Sequence, residues 1–168
     1  AVANRLWKMS QEQDLGLDEQ ARLERVFRHP VRQLAIMDLV QKFPDRELQP
    51  HKGRLCYLLH NSLPHSSGGY ATRSHGLAAA VAALGWDVRP ITRPGFPYDV
   101  ILEPSSKEVA TEEKVDGISY RRLFEPSRRG IPPSRYMELA AGVLERELQR
   151  LRPAVVVAAS NHLTALPG

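Results

Sequence analysis

The chain has 168 residues, long enough for one domain with a buried core. Hydrophobic residues make up 42% and charged residues 25%, a composition that excludes a disordered or fibrous protein. Lys and Arg outnumber Asp and Glu by 23 to 19, and the net charge of +4 is a slight bias toward phosphorylated ligands. The basic residues form no RNA-binding signature, so nucleic acid is not an expected partner. A single cysteine, Cys56, cannot form an internal disulfide, and we expect a cytoplasmic protein.

Residues 1–50 predict an N-terminal helical segment, and residues 51–168 a separate domain. Asp18 can cap a first helix, which Pro30 closes. A second helix over residues 31–43 carries apolar side chains on more than one face, so it needs partners on more than one side. These partners can be the rest of the chain, a second subunit in a homo-oligomer, or a further domain.

The pattern then changes to strands. Residues 54–60 (RLCYLLH) form a short apolar run bounded by basic and turn residues, as in a buried parallel strand. Residues 86–93 (WDVRPITR) predict a second strand, and residues 153–160 (PAVVVAAS) predict a last, buried one. Between them, Asp116-Gly117 is the turn signal of a β-hairpin.

Two helices alternate with these strands. The first covers residues 72–85, with Thr72 or Ser74 as N-cap and Gly85 as its stop. Its predicted core face consists of Leu77, Val81 and Leu84. The second covers residues 135–151, with Ser134 as N-cap. Its predicted core face consists of Leu139, Ala140, Val143, Leu144, Leu148 and Leu151.

This alternation of elements decides the expected fold class. The predicted order is strand, helix, strand, hairpin, helix, strand. This order is typical of an α/β fold, with a mainly parallel sheet and flanking helices. The Pro-rich residues 94–108 predict a long, mobile loop between the second strand and the hairpin.

The connection after the first strand contains two adjacent glycines, Gly68 and Gly69. In α/β sheets, ligands bind at the carboxyl ends of strands, where helix N-termini favour anions. Glycines there tolerate positive φ and let a ligand approach the backbone, and Arg73 can add a bidentate contact to a phosphate or carboxylate. The spacing fits neither a dinucleotide fingerprint nor a P-loop. The alternative is that the glycines only form a tight turn.

Four segments carry a resemblance to a known family: SGGYATR (67–73) and TRPGFPYD (92–99), followed by VDGISYRRL and PAVVVAASNHLTALPG. In their order and spacing they resemble the N-terminal domain of a family 4 glycosyltransferase of the GT-B fold. The resemblance covers roughly residues 54–168. It implies a Rossmann-like parallel sheet and a retaining transfer of sugar from a nucleotide-sugar donor to a glycan or lipid-linked acceptor, as in polysaccharide biosynthesis. No metal or other cofactor is implied.

The resemblance also implies a division of labour. The N-terminal domain binds mainly the acceptor, and a second domain, not within this sequence, holds the donor; we therefore expect the chain alone to be inactive. The ligand-binding residues expected here are Gly68, Gly69, Tyr70, Arg73, Ser160 and Asn161. No catalytic residue is assigned, because Val157 stands where many relatives have a cleft histidine.

Other polar residues allow more than one interpretation. His60, His65 and His75 flank the glycines, but without a carboxylate or cysteine at ligand spacing they make a poor metal site. His60 can instead orient a ligand phosphate or hydroxyl, or be a solvent-exposed loop residue. Asp99 can bind a sugar hydroxyl or form an Asx-turn.

A group of arginines lies around one loop. It can contact anionic lipid or a phosphorylated acceptor, as in a protein peripheral to the inner face of the membrane, or it can be a solvated surface. Its members are Arg121, Arg122, Arg128 and Arg129. A rival to the enzyme hypothesis is a non-catalytic α/β binding or dimerisation module that associates through residues 36–43.

Overall fold

The computed structural model describes residues 49–100, 108–131 and 133–160. The predicted helices of residues 1–48, and with them the predicted division into two domains and the oligomer contact at residues 36–43, lie outside the described residues. Within the described ranges, neither helix is long and apolar enough to cross a bilayer.

The described residues form an α/β fold with one five-stranded mixed sheet and two helices. In chain order the elements are β1 (His51–Leu59), α1 (Gly69–Ala83), β2 (Asp87–Thr92), β3 (Glu112–Val115), β4 (Ile118–Arg121), α2 (Pro133–Leu151) and β5 (Pro153–Ala158). Their order across the sheet is β3-β4-β2-β1-β5. The predicted alternation of strands and helices is confirmed.

The sheet is parallel except at the hairpin. β1 pairs in parallel with β2 and β5, and β2 pairs in parallel with β4, while β3 and β4 are antiparallel. Asp116 and Gly117 have φ of 45° and 88°. Positive φ at both central residues is what a type I′ hairpin turn requires, so the predicted Asp-Gly turn is confirmed.

β1 lies at the centre of the fold and is buried on both faces at its end. Cys56 and Leu58 belong to a core cluster with α2, whereas Tyr57 and Leu59 belong to a second cluster with α1. Because successive strand residues point to opposite faces, α1 and α2 cover opposite sides of the sheet. Burial also raises the pKa of the Cys56 thiol to about 12, which leaves it an inert core group.

The core face of α1 is different from the predicted one. Leu77 and Leu84 are 51% and 80% exposed, and the helix buries Ala71, Ser74 and Ala78 instead. Small side chains let the helix backbone lie close to the aromatic and branched residues of the sheet, which supply the packing volume. The periodicity of the leucines therefore predicted the wrong face.

The ends of α1 were predicted in part. The N-cap is Gly68, which makes no side-chain cap hydrogen bond, so Thr72 and Ser74 lie inside the helix rather than capping it. The Thr72 hydroxyl donates back to the carbonyls of Ser67 and Gly68, at 3.3 Å each. Gly85, with φ of 88°, follows the helix as predicted and takes the left-handed conformation that ends many helices.

α2 packs as predicted with one exception. Ala140, Leu144 and Leu151 are buried, but Leu139 is 38% exposed, one position off the stripe that faces the sheet. The helix begins at Pro133, so Ser134 lies within its first turn rather than at the N-cap. Proline is well suited to a first helical position, because its missing N–H would have no partner there.

The predicted burial of β5 was wrong. β5 is a strand but not a buried one: it forms an edge of the described sheet, and Val155, Val156 and Val157 are each 40% exposed. Of the loop predicted over residues 94–108, residues 101–107 lie outside the described residues. The part before them packs onto the protein, since residues 91–97 are buried and Asp99 is too. The ion pairs of that segment, described below, explain why it packs.

Candidate functional site

The chain reverses its direction across the sheet between β1 and β5. From β1 it proceeds through β2 to β4 on one side, and then returns through α2 to β5 on the other side. In α/β proteins, ligands bind in a crevice at the carboxyl ends of the strands between which the strand order reverses. The residues directly after β1 and β5 are therefore the candidate site.

Tyr70 bridges these two strand ends from the first turn of α1. Its hydroxyl accepts a hydrogen bond from the backbone N–H of His60 at 3.0 Å and donates one to the carbonyl of Ala159 at 3.3 Å. Burial raises the pKa of Tyr70, so the hydroxyl keeps its proton and remains a donor at neutral pH. The predicted ligand residue Tyr70 thus holds the site together through its hydroxyl.

His60 and Asn61 each carry a buried polar atom that lacks a hydrogen-bond partner. The atoms are Nδ1 of His60 and Oδ1 of Asn61, and neither has a partner within the described ranges. Buried polar atoms are nearly always satisfied in folded proteins, so two adjacent exceptions at a strand end indicate groups available to a ligand or to water. Asn61 was missed at the sequence level, although its position directly after the apolar run of β1 was a signal.

The His60 imidazole is neutral at physiological pH. Burial, and after it the charges of the nearby Arg93 and Arg128, lower its pKa to about 4, against a smaller opposite effect of Asp99. A neutral imidazole beside an amide can exchange hydrogen bonds with hydroxyl groups, and it carries no charge that would attract an anion. The electrostatics of the site therefore favour an uncharged, hydroxyl-rich ligand at this point.

Gly68 and Gly69 lie at the start of α1, and both are exposed. Gly68 has φ of −65° and ψ of 164°, an extended conformation open to any residue, so the expected positive φ is absent. A Cβ atom on either glycine would meet nothing within 4 Å. The fold itself therefore does not require glycine here, and the tight-turn alternative loses its steric reason.

The same open space exposes the N-terminal backbone of α1. The first helical hydrogen bond runs from the N–H of Thr72 to the carbonyl of Gly68 at 3.1 Å, so the earlier N–H groups have no partner within the helix. Arg73 is exposed one turn further along. An anionic group could reach both the helix N-terminus and this guanidinium.

Ser160 follows β5 at the far side of the crevice. It is exposed and has φ of 100°, a backbone conformation that L-residues rarely adopt. Such conformations are concentrated at functional sites, where they direct a side chain that a relaxed turn would direct elsewhere. Asn161 lies outside the described residues. We refer to His60, Asn61, Tyr70 and Ser160 as the switch-point site.

The carboxylate of Asp99 is bound inside the protein and is not accessible to a sugar hydroxyl. The alternative Asx-turn would involve residue 101, which lies outside the described residues. The Asp99 carboxylate is completely buried, accepts both Nη groups of Arg93, and accepts Nε of Arg128 at 3.1 Å. Arg129 additionally donates from Nε to the Asp99 backbone carbonyl at 3.1 Å. The Asp99 triad (Arg93, Asp99 and Arg128) fixes the segment after β2 and leaves the carboxylate no capacity to bind a sugar.

The four arginines of the predicted basic group differ in burial. Arg122 is an internal residue: Nε donates to Glu113 Oε2 at 2.9 Å, while its Nη groups bind the hydroxyl of Ser62 and the carbonyl of Leu63. Arg121 pairs with Glu147 at 3.2 Å. Arg128 and Arg129 contact Asp99, and Arg129 is exposed. Neither the lipid contact nor the solvated surface therefore describes Arg122, and for the other three arginines both stay predictions.

The histidines do not form a metal site among the residues that the structure describes. His65 Nε2 pairs with Glu113 Oε2 at 2.8 Å. His75 Nδ1 lies 2.7 Å from the hydroxyl of Tyr120, and the His75 ring stacks on the Tyr120 ring. Both side chains are therefore structural, and of the three histidines that flank the glycines it is His60 that remains available to a ligand.

Comparisons with protein-family models, curated proteins and solved structures found no match to this chain.

Proposed function

We propose that the chain is the acceptor-side, Rossmann-like N-terminal domain of a retaining family 4 glycosyltransferase of the GT-B fold. The proposal rests on the resemblance of SGGYATR and TRPGFPYD and on the switch-point site. The enzyme would transfer a sugar from a nucleotide-sugar donor to a glycan or lipid-linked acceptor. A second domain would hold most of the donor, and this chain alone would lack transferase activity.

One observation carries the proposal: the unpartnered Nδ1 of His60 and Oδ1 of Asn61 at the carboxyl end of β1. A sugar acceptor presents several hydroxyl groups, each of which can both donate and accept a hydrogen bond. A neutral imidazole, an amide oxygen and the Ser160 hydroxyl offer a matching set. Neutral groups also avoid the large desolvation cost that a charge would impose in a closing cleft.

The glycines extend the proposed site toward an anion. Because no neighbour occupies the space beside Gly68 and Gly69, a ligand can come within hydrogen-bond distance of the N-terminal backbone of α1. In the proposed enzyme this is where a phosphate of the donor or of a lipid-linked acceptor would lie, with Arg73 as its charged partner. The protein would work in the cytoplasm, on acceptors that include lipid-linked ones at the inner face of the membrane.

An assembly module is the second candidate, and a separate observation favours it. Large apolar side chains are exposed on α1 and β5, including Leu77, Leu84 and Val157. Large exposed apolar residues can take part in a protein–protein contact. Molecular mass measured against concentration tests this candidate: a dimer that Leu77→Ser and Leu84→Ser together dissociate would favour it.

The glycine loop is tested by a pair of valine substitutions in α1. Gly69→Val fills the space beside the proposed site, whereas Gly76→Val adds the same side chain at an exposed helical position seven residues away. We expect Gly69→Val, but not Gly76→Val, to weaken binding of nucleotide sugars or glycan acceptors in NMR titrations of the full chain. Equal affinities in both variants would contradict the proposal.

The hydroxyl-binding groups are tested by a pair of histidine substitutions in β1 and its end. His60→Ala removes the free imidazole, and His51→Ala removes an exposed histidine at the opposite end of the same strand. A glycan acceptor should bind His60→Ala roughly tenfold more weakly, because about one hydrogen bond in a desolvated site is lost. His51→Ala should bind the acceptor as the wild type does. If the wild-type chain binds no glycan acceptor at millimolar concentration, its proposed role as an acceptor-binding domain is excluded.

A further inference from the structure

A second concave site lies on the face of the sheet that α2 covers. Its volume is about 350 Å³, and Ile91 and Leu151 of the α2-side core form part of its wall. Three arginines line it from three elements: Arg89 from β2, Arg121 from β4 and Arg150 from α2. We call it the arginine cavity. None of its residues belongs to the switch-point site.

The arginines are held in place by shared carboxylates. Arg121 and Arg150 both bind Glu147, at 3.2 and 2.8 Å, and Arg89 binds Asp87 at 2.6 Å. Burial alone would raise the pKa of Glu147, but the hydrogen bonds and charges of its two arginines outweigh it and lower the pKa. Glu147 therefore stays ionised and orients two guanidinium groups at once.

Positive charge remains in excess at the cavity. Asp87 is shared as well, because Arg54 binds its other oxygen at 2.6 Å. Four guanidinium groups are thus set against three carboxylates, those of Asp87, Glu147 and Glu112. Glu112 lines the cavity and accepts the Ser119 hydroxyl at 3.0 Å. Of the oxygens of these three carboxylates, all but one of Glu112 are already hydrogen-bonded or ion-paired. Each guanidinium has five N–H donors, so the donors outnumber the acceptors.

One donor in this group is buried and has no acceptor. Nε of Arg121 makes no hydrogen bond in the part of the chain that the structure describes. A buried N–H group without a partner costs free energy, and its presence beside a polar cavity points to an acceptor that enters from solution. The cavity is at the lower end of the size range of small-molecule sites, and larger than a lone anion needs.

We propose that the arginine cavity binds the phosphoryl group of a small phosphorylated molecule. Guanidinium groups bind phosphate oxygens through paired N–H donors, and three of them on separate elements can surround one such group. The remaining volume would hold the body of the ligand. The bound oxyanion would neutralise the excess charge and satisfy the free donors.

Inorganic pyrophosphate is the probe, with inorganic phosphate in parallel. Both are titrated at low ionic strength into the full chain and followed by calorimetry and by the backbone NMR signals of residues 89–91 and 119–121. We expect pyrophosphate to bind and to shift these signals. Weaker or stronger binding of phosphate would report how many phosphoryl groups the ligand carries. No binding of either anion at millimolar concentration would overturn the proposal.

Arg89→Gln and Arg150→Gln are the test variants, and their side chains are exposed enough, at 42% and 60%, for the fold to survive. Each should weaken pyrophosphate binding about tenfold to a hundredfold, the range for a hydrogen bond to a charged group. Arg135→Gln makes the same charge change at an exposed pair outside the cavity and should leave binding unaltered. An equal loss in all three would show a general charge effect and refute the site. His60→Ala should also bind normally, which separates this proposal from the glycosyltransferase one.

Discussion

Gly95 is the position where the fold depends most directly on the absence of a side chain. Its φ is +87°, and a Cβ atom built there would lie 2.9 Å from the carbonyl oxygen of Pro126 and 3.0 Å from the Cα of Ser127. It would also lie 3.2 Å from Oδ2 of Asp99. Gly95→Ala therefore combines an unfavourable backbone conformation with a collision against the backbone of residues 126–127.

The cost of Gly95→Ala is the sum of two effects. The left-handed conformation costs an L-residue about 1–2 kcal/mol. The collision cannot be relieved easily, because the Gly95 N–H donates to the carbonyl of Leu123 at 2.7 Å and the Gly95 carbonyl accepts from the N–H of Asp99 at 2.9 Å. Overpacking of this kind costs about 1–3 kcal/mol. The free energy of unfolding should fall by roughly 2–5 kcal/mol in total.

Gly85→Ala separates the two effects. Gly85 has φ of +88°, nearly identical to that of Gly95, but nothing lies within 4 Å of its Cβ position. In urea denaturation followed by circular dichroism, Gly85→Ala should lose only the backbone cost of about 1–2 kcal/mol. Equal losses in the two variants would refute the reasoning that Gly95 is required for close packing against residues 126–127.

Three other substitutions test the remaining interactions. In the same denaturation assay, Asp99→Asn should lower the free energy of unfolding by about 3–5 kcal/mol, because it leaves buried guanidinium charge without its counterion. Asp116→Asn, at an exposed carboxylate in a turn that suits Asn, should lower it by less than about 0.5 kcal/mol. The pKa of His60 is lowered to about 4 from 6.5, so the unfolded chain takes up the proton first, and stability should fall as pH is lowered from about 6.5 to about 4. His60→Gln should remove the fall in stability between about pH 6.5 and 4 that His60 causes. Identical curves of stability against pH for the wild type and the variant would contradict the lowered pKa of His60. Leu144→Ala should lower the free energy of unfolding by about 2–5 kcal/mol, whereas Leu84→Ala should lower it by under about 0.5 kcal/mol. The reverse order would mean that Leu84 is a core residue, as first predicted for α1.

The elements that the sequence predicted well are those with local signals. The apolar run of β1 and the Asp116-Gly117 turn are visible within a few residues, because burial on both faces and positive φ each restrict the residue types allowed. The core face of α1 was predicted wrongly because its contact residues are alanine and serine, which a hydrophobicity pattern ranks below leucine. Only the distance between helix and sheet, a tertiary property, reveals that Ala78 is the better fit.

The site was predictable in position but only partly in composition. The strand–glycine–helix pattern correctly marked the carboxyl end of β1 as the place where backbone is exposed, and Tyr70 proved to lie there. Arg122 was misread because a charge pattern along the chain does not show burial. Arg122 becomes an internal residue only through Glu113 and Ser62, and the second of these is 60 positions away. The spacing of residues in the sequence does not indicate such pairs.

Arg122 also joins parts of the chain that are far apart in the sequence. It links β3 through Glu113 and the segment after β1 through Ser62 and Leu63, and its guanidinium packs over the rings of Phe96 and Tyr120. Opening any one of these segments would leave the buried charge without part of its neutralising shell. The hairpin and the loop at the mouth of the switch-point site should consequently open as one cooperative unit, and their amide protons should exchange with solvent at a common rate.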